Sequence, residues 1–221
     1  MVEEFKGIVF DMDGVLVNSM QYHAVSFEKT LKKIGVDVDR KDVYMLEGEG
    51  SELVIRDILG KKGVETGDEI VRDLVEKKRE MFDEIENTEP FPGIRNFLER
   101  LKNKFKLGLV TGTNRDTAQG YIEEYFGGVF DEIITEDDTE NKKPEPEPYS
   151  KCFERLGLSS EEVLVVENAP LGVKAAKRAG ATCWAIATYV DSEALKGADA
   201  DSVFENHEEF IEHAGEALLP G

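Results

Sequence analysis

Gly7-Ile8-Val9-Phe10-Asp11-Met12-Asp13-Gly14-Val15-Leu16-Val17 reads as a short buried β-strand that ends in two acids and a glycine. Ile8, Val9 and Phe10 form a short β-branched and aromatic run, the pattern of a strand covered on both faces. The run meets two acids, Asp11 and Asp13, and Gly14 then frees the backbone to turn. In an open α/β sheet, ligands bind at the carboxyl ends of the strands. Two carboxylates crowded there repel each other; a cation relieves the repulsion, and oxygen ligands suit Mg²⁺. Taken alone, Asp-x-Asp-Gly after a strand also fits an ordinary turn, so the rest of the chain has to choose.

The next seventy residues hold helical patterns and no convincing strand. Asn18-Ser19 can cap a helix carrying Tyr22, Val25, Phe27, Leu31 and Ile34, with Gly35 to end it. A short segment with Val43, Tyr44, Met45 and Leu46 leads to the loop Glu47-Gly48-Glu49-Gly50, where Ser51 can cap a helix carrying Leu53 to Leu59. A last helix is expected from about Asp68 to Ile85, with Ile70, Val71, Leu74, Val75, Met81 and Phe82 at helical spacing. Pro90-Phe91-Pro92-Gly93 then punctuates the chain, and the pattern becomes alternating strand and helix. Strands are expected at 107–110, 130–135, 163–166 and 182–187. Helices are expected at 94–105, 117–126, 149–156, 171–179 and 208–218. This order implies a doubly wound parallel sheet, an α/β Rossmann-like core of residues 1–17 and 89–221, with residues 18–88 inserted as a helical block.

Composition limits the partners. The 221 residues carry 47 acidic against 27 basic side chains, a formal net charge of −20. Nucleic acid and anionic membrane surfaces repel such a chain. No apolar run approaches the roughly 18 residues of a membrane helix. The acidic start, Met1 to Lys6, lacks the basic and apolar regions of a signal peptide, so a cytoplasmic protein is expected. Cys152 and Cys183 share no metal-ligand spacing and read as reduced, partly buried thiols. Nothing suggests an obligate assembly, and a monomer is expected. The charge poses a problem of its own: an anionic substrate needs local positive charge to enter.

Right-handed crossovers bring the polar strand ends to one edge of the sheet. These are Asp11 and Asp13, then Thr111-Gly112-Thr113, then Glu167-Asn168, with Lys142-Lys143 in the loop before the preceding helix. With Val110-Thr111-Gly112, Lys143-Pro144-Glu145-Pro146-Glu147 and Val166-Glu167-Asn168-Ala169-Pro170-Leu171-Gly172, in that order after Asp11-Met12-Asp13-Gly14, the chain resembles the haloacid dehalogenase superfamily. The resemblance is to the branch with a helical cap inserted after the first motif, typified by β-phosphoglucomutase and phosphoglycolate phosphatase.

The resemblance implies a role for each residue. Asp11 would attack phosphorus and form an aspartyl-phosphate. Asp13 would protonate the leaving oxygen and then activate water. Thr111, Gly112 and Thr113 would hold phosphoryl oxygens, and Lys143 would neutralise charge on Asp11 and on the phosphoryl group. Mg²⁺ would be bound by Asp11, Asp13, Glu167 and Asn168, and Ser19 and His23 would stand at the mouth of the site. The block 18–88 would be the cap that closes over a small phosphorylated substrate.

Two departures matter. Where the family usually has an acid that binds the metal, this chain has Asn168, whose amide oxygen brings no charge. Where the β-phosphoglucomutase branch has a lysine and an arginine in the cap loop, this chain has Glu47 and Ser51. An acidic loop disfavours a bisphosphate, so a Mg²⁺-dependent phosphatase is expected, with a substrate whose far end is neutral or cationic. Arg56, one turn on, has the length to reach in. A phosphomutase, and a non-catalytic relative that has lost turnover, are the alternatives. The segment His207 to His213 is expected to be a solvated amphipathic helix and not a zinc site, since its spacing is not His-Glu-x-x-His. Glu136-Asp137-Asp138 is expected as an exposed acidic loop, Lys142 as solvent-facing, and Trp184 in the core.

Overall fold

The computed structural model describes residues 5–220; residues 1–4, most of the acidic start, lie outside the described residues, as does residue 221. Among the described residues, six parallel strands form one sheet in the order β3-β2-β1-β4-β5-β6. The strands are β1 (Gly7–Phe10), β2 (Lys106–Val110), β3 (Glu132–Ile134), β4 (Val163–Glu167), β5 (Thr182–Ile186) and β6 (Ser202–Phe204). The chain builds outward from β1 to β3, then returns to lay β4 on the other side of β1. Crevices open at such a reversal point. Asp11, Thr111 and Glu167 therefore meet there, at the carboxyl ends of three neighbouring strands.

Side chains alternate across β1: Ile8 and Phe10 enter one core, Val9 the other. The first core is covered by α5 (Ile94–Lys102), α6 (Arg115–Tyr125) and α10 (His207–Leu218), the second by α7 (Glu147–Leu156), α8 (Pro170–Arg178) and α9 (Ser192–Lys196). Trp184 is buried in the first. Gly108 lets α7 lie close on β2, since a Cβ there would stand 2.6 Å from the Cys152 Sγ. Asn114 and Asn206 cap α6 and α10, accepting from the Thr117 and Glu209 N–H groups at 3.0 Å. The strand β6 and the helix α9 lie beyond the expected elements. They span three and five residues, too short for a periodic signal.

Between β1 and α5 stand α1 (Met20–Lys32), α2 (Arg40–Met45), α3 (Ser51–Lys61) and α4 (Asp68–Ile85). They bury a third cluster of their own, including Phe27, Leu31, Ile55 and Leu74. The chain leaves and re-enters the sheet unit side by side: the Asn18 N–H donates to the Glu89 carbonyl at 2.9 Å and the Phe91 N–H to the Leu16 carbonyl at 3.0 Å. Two expected caps are corrected. Ser51 is the first residue of α3, not its cap, which is Gly50. Ser19 holds the N-cap position of α1 but makes no capping bond, because its hydroxyl is used elsewhere.

His207 is not solvated. It is buried at the start of α10, stacked on Phe91 at 3.7 Å, with Nε2 3.0 Å from the Val15 carbonyl oxygen. Burial holds its imidazole down to about 4 from the ordinary 6.5, although hydrogen bonds to Val15 and Gly14 pull the other way. Between those two values the unfolded chain binds a proton that the folded chain does not, so stability falls as pH falls from 6.5 to 4. The loss is on the order of 3 kcal/mol. His207→Gln keeps a donor for Val15, and its Tm should fall less steeply through this window than that of the wild type. Parallel Tm–pH curves would contradict the assignment.

Candidate active site

Asp11 follows β1 directly and its N–H donates to the Val166 carbonyl at 2.9 Å, which fixes the acid between β1 and β4. Its Oδ1 accepts from Lys143 Nζ at 2.5 Å. The same ammonium donates to Glu167 Oε1 at 2.7 Å, and all three residues are buried. Burial pushes Lys143 down, but the two carboxylates outweigh it and hold the ammonium charged. Burial pushes Asp11 well up, and Glu167 and Asp13 reinforce this against the pull of Lys143. The pocket is therefore short of positive charge.

Asp13, also expected as a metal ligand, points away from this pair, and both of its oxygens are taken by side chains of the protein. Its Oδ1 accepts from the Ser19 hydroxyl and lies 3.7 Å from His23 Nε2. Its Oδ2 accepts from the hydroxyls of Thr113 at 2.8 Å and Thr111 at 3.2 Å. Burial raises its pKa, yet these donors and His23 outweigh burial and leave Asp13 well below the usual carboxylate range. The Thr113 N–H in turn donates to Thr111 Oγ1 at 3.0 Å. Ser19 is fully buried and spent on Asp13; it positions an acid and does not face the mouth as expected. Thr111 likewise directs its hydroxyl at Asp13.

Glu167 is expected as a metal ligand, but the structure commits both of its oxygens to the protein. Oε1 accepts from Lys143 and from the Tyr149 hydroxyl at 2.7 Å, and Oε2 from the Asn168 and Ala169 N–H groups at 2.8 and 3.1 Å. It orients Lys143 and the turn after β4. Gly172 leaves room for it: a Cβ there would fall 1.7 Å from Glu167 Oε1. The carboxylate has nowhere to go, held as it is by four donors. Gly172→Ala should therefore cost roughly 2–3 kcal/mol of overpacking, although alanine suits a helix. It should also lower turnover by displacing Lys143. Unchanged stability and activity would show that Glu167 is free to move.

Above the strand ends, a cavity of about 620 Å³ separates the sheet edge from the helical block, lined by Asp11, Asp13, His23, Glu47, Lys78 and Thr113 among others. His23 stacks on Phe82 at 4.1 Å, with Nδ1 2.7 Å from the buried Lys78 Nζ. Burial, and then the Lys78 charge, lower its pKa. Neutral His23, with Nδ1 accepting from Lys78, presents Nε2–H to Asp13. Burial likewise brings Lys78 down to about 8. Arg56 does not reach in; Glu52 and Asp68 hold it at 2.8 Å on the outer face. Lys142 is half-buried and not solvent-facing, donating to the carbonyls of Glu136 and Thr139. The acidic loop 136–138 is a 3-10 turn in which Asp138 is pinned by Thr135, Arg115 and Arg155. With Lys78 and Arg79 on its wall, the cavity is mixed in charge rather than acidic throughout.

The donor set fits a hard cation. Asp11 Oδ2 and Asn168 Oδ1 are buried acceptors without a hydrogen-bond partner among the described residues. Such orphans are costly unless something positive meets them. Both are oxygen, from neighbouring strand ends, in a pocket where acids outnumber the lysine. Tyr149, Gly172 and Lys78 were not legible as site residues. Tyr149 reads in sequence as one more apolar position of α7, and Lys78 as one of many charges on α4.

The chain is similar to known proteins over most of its length. A family model described as haloacid dehalogenase-like hydrolase matches residues 8–186. A phosphoglycolate phosphatase of Aquifex aeolicus is 34% identical over 187 residues, 83% of this chain and 85% of that one. A phosphorylated carbohydrates phosphatase of Thermotoga maritima is 32% identical over 183 residues, 79% and 82% of the two chains. Among solved structures, a provisionally named β-phosphoglucomutase from Bacteroides vulgatus superposes with a TM-score of 0.90 at 31% identity, covering 98% of this chain and 89% of that one.

Proposed function

The chain belongs to the haloacid dehalogenase-like hydrolases, and from that premise we propose that it is a cytoplasmic, monomeric, Mg²⁺-dependent phosphatase of a small phosphomonoester, working through an aspartyl-phosphate on Asp11. The observation that carries this is the Lys143 ammonium shared between Asp11 Oδ1 and Glu167, with the other Asp11 oxygen unpartnered beside the cavity. Both cysteines are free and buried, in keeping with a reducing compartment. No helix among the described residues is long and apolar enough to cross a membrane.

Asp11 and Asn168 would hold Mg²⁺ through their side-chain oxygens. The cation supplies charge neutralisation of the phosphoryl oxygens and of the acids around them. The residues do the rest. A carboxylate oxygen of Asp11 attacks phosphorus, and the bond from phosphorus to the substrate oxygen breaks. Asp13 gives its proton to that leaving oxygen. A water then attacks the phosphorus, passes a proton to the Asp13 carboxylate, and Asp11 is released with inorganic phosphate. In the geometry described, Asp13 is ionised by its four neighbours and suited to the second half. The first half needs it to pick up a proton, and His23 and the hydroxyls of Thr111, Thr113 and Ser19 are placed to set when it does. Lys143 stays charged throughout and faces the oxygen on which negative charge grows. Residues 18–88 act as the cap, sheltering the site from water.

A phosphomutase is the second reading, favoured by Lys78 and Arg79 on the cavity wall, where a distant phosphate would sit. One experiment separates the two: incubation with sugar phosphates, phosphoglycolate, nucleotides and a chromogenic ester, with and without Mg²⁺. Phosphate release that needs Mg²⁺ supports the phosphatase. An isomeric sugar phosphate formed without release indicates the mutase. Neither product from any compound would point to a non-catalytic protein.

A further inference from the structure

We propose that Glu47, carried by the loop between α2 and α3, is a carboxylate ligand of the cation site, so that the site is complete only when this loop rests on the sheet edge. The inference rests on the metal site of the proposed function and adds to it a ligand from the other side of the cavity. Asn168 is where charge is missing: it follows β4, is 1% exposed, and its Oδ1 has no partner. Its Nδ2 donates to Glu47 Oε2 at 2.9 Å, and the other oxygen of Glu47, also sheltered from solvent, has no partner either. Asp11 Oδ2 is the third such oxygen at this edge. A carboxyl sheltered beside Asp11 and Glu167 either takes up a proton or meets something positive. A divalent cation touching Asp11, Asn168 and Glu47 satisfies all three orphans and returns the charge that an amide cannot supply.

The loop is shaped for this approach. Gly48 has φ +96°, and a Cβ on it would stand 2.8 Å from Lys143 Cδ. A Cβ on Gly112 would stand 3.3 Å from the Gly48 backbone. Two glycines thus let the loop backbone lie directly on the phosphate-side loop and on Lys143. A larger residue at either position would hold Glu47 back. The acid in the loop and the amide after β4 then form one unit, with the charge moved from the sheet to the cap.

The test uses Mn²⁺ alone as the probe, with the full chain and no substrate, reading free Mn²⁺ by electron paramagnetic resonance. Glu47→Gln should weaken Mn²⁺ binding by roughly 10- to 100-fold. In Glu47→Gln/Asn168→Asp, with the acid returned to the sheet, most of the affinity should come back. Gly48→Ala keeps every ligand but obstructs the approach, and should also weaken binding. In the wild type, Mn²⁺ should slow amide exchange in residues 46–50; in Glu47→Gln it should not. Affinity in Glu47→Gln within twofold of the wild type would overturn the inference while leaving the metal site standing. Tighter binding would overturn it too, making Glu47 an occupant that competes with the cation. No Mn²⁺ binding by the wild type would overturn both this inference and the metal dependence it rests on. Should Glu47→Gln alone fail to fold, Gly48→Ala decides: with every ligand kept and only the approach obstructed, affinity within twofold of the wild type would overturn the inference.

Discussion

Asp11→Asn should end turnover, by about 10⁴-fold or more in kcat, while the protein stays folded and melts no lower than the wild type. The two halves of this expectation come from one arrangement. Asn has nearly the shape of Asp but offers no nucleophilic carboxylate, so the covalent step has no atom to make it. Stability should hold because Asp11 sits in a pocket with too many acids: burial, Glu167 and Asp13 all oppose its charge. Removing that charge relieves the crowding, and Lys143 keeps Glu167 as its partner at 2.7 Å. Phosphate release and thermal melts on the same preparation check both halves. Residual turnover within tenfold of the wild type would remove Asp11 from the nucleophile's place.

Lys143→Met should be damaging in both respects. The lysine is 4% exposed and bridges two buried carboxylates. Methionine fills a similar volume but leaves Asp11 and Glu167 facing each other with no cation between them. Breaking a buried pair in this way costs about 3–5 kcal/mol. Turnover should fall by roughly 10²–10³-fold at temperatures where the variant is folded, because the charge opposite the developing phosphoryl negative charge is gone. Adding Glu167→Gln removes one of the stranded charges, so the double variant should recover part of the stability and none of the activity. Melting curves and phosphate release across the three proteins separate packing from chemistry. A single variant as stable as the wild type would mean that the lysine is not the pocket's main counter-charge.

The parallel, doubly wound sheet and the meeting of Asp11, Thr111, Lys143 and Glu167 were legible in the sequence because they follow from the alternation of strand and helix. Each residue comes just after an apolar strand or at a prolyl loop, and right-handed crossovers leave one edge on which they can meet. What each side chain does there was less legible. Glu167 reads as a metal ligand until the N–H groups of its own turn and the Tyr149 hydroxyl, eighteen residues earlier, are seen to use up its oxygens. Ser19 reads as a helix cap until Asp13 is seen beside it. Glu47 reads in sequence as an acid that faces the substrate. Only the folded chain brings it to Asn168, across 121 residues of sequence. His207 reads as solvated because its neighbours Glu208 and Glu209 are exposed, and its own burial against Phe91 depends on a contact from the far side of the helical block. These are long-range pairings of single polar atoms, and no local period announces them.

In the proposed reaction, phosphorus passes through Asp11. The most direct measurement uses Asp13→Asn with p-nitrophenyl phosphate and Mg²⁺, followed by acid quench, borohydride reduction and peptide mass analysis. The p-nitrophenolate leaves without needing a proton, so this variant should still phosphorylate Asp11. It should then stall, because nothing activates the water. Reduction converts an aspartyl-phosphate to homoserine, and homoserine is expected at position 11 and at no other acid. Homoserine at another position, or p-nitrophenolate released in more than one equivalent with position 11 recovered as unmodified aspartate, would contradict the account.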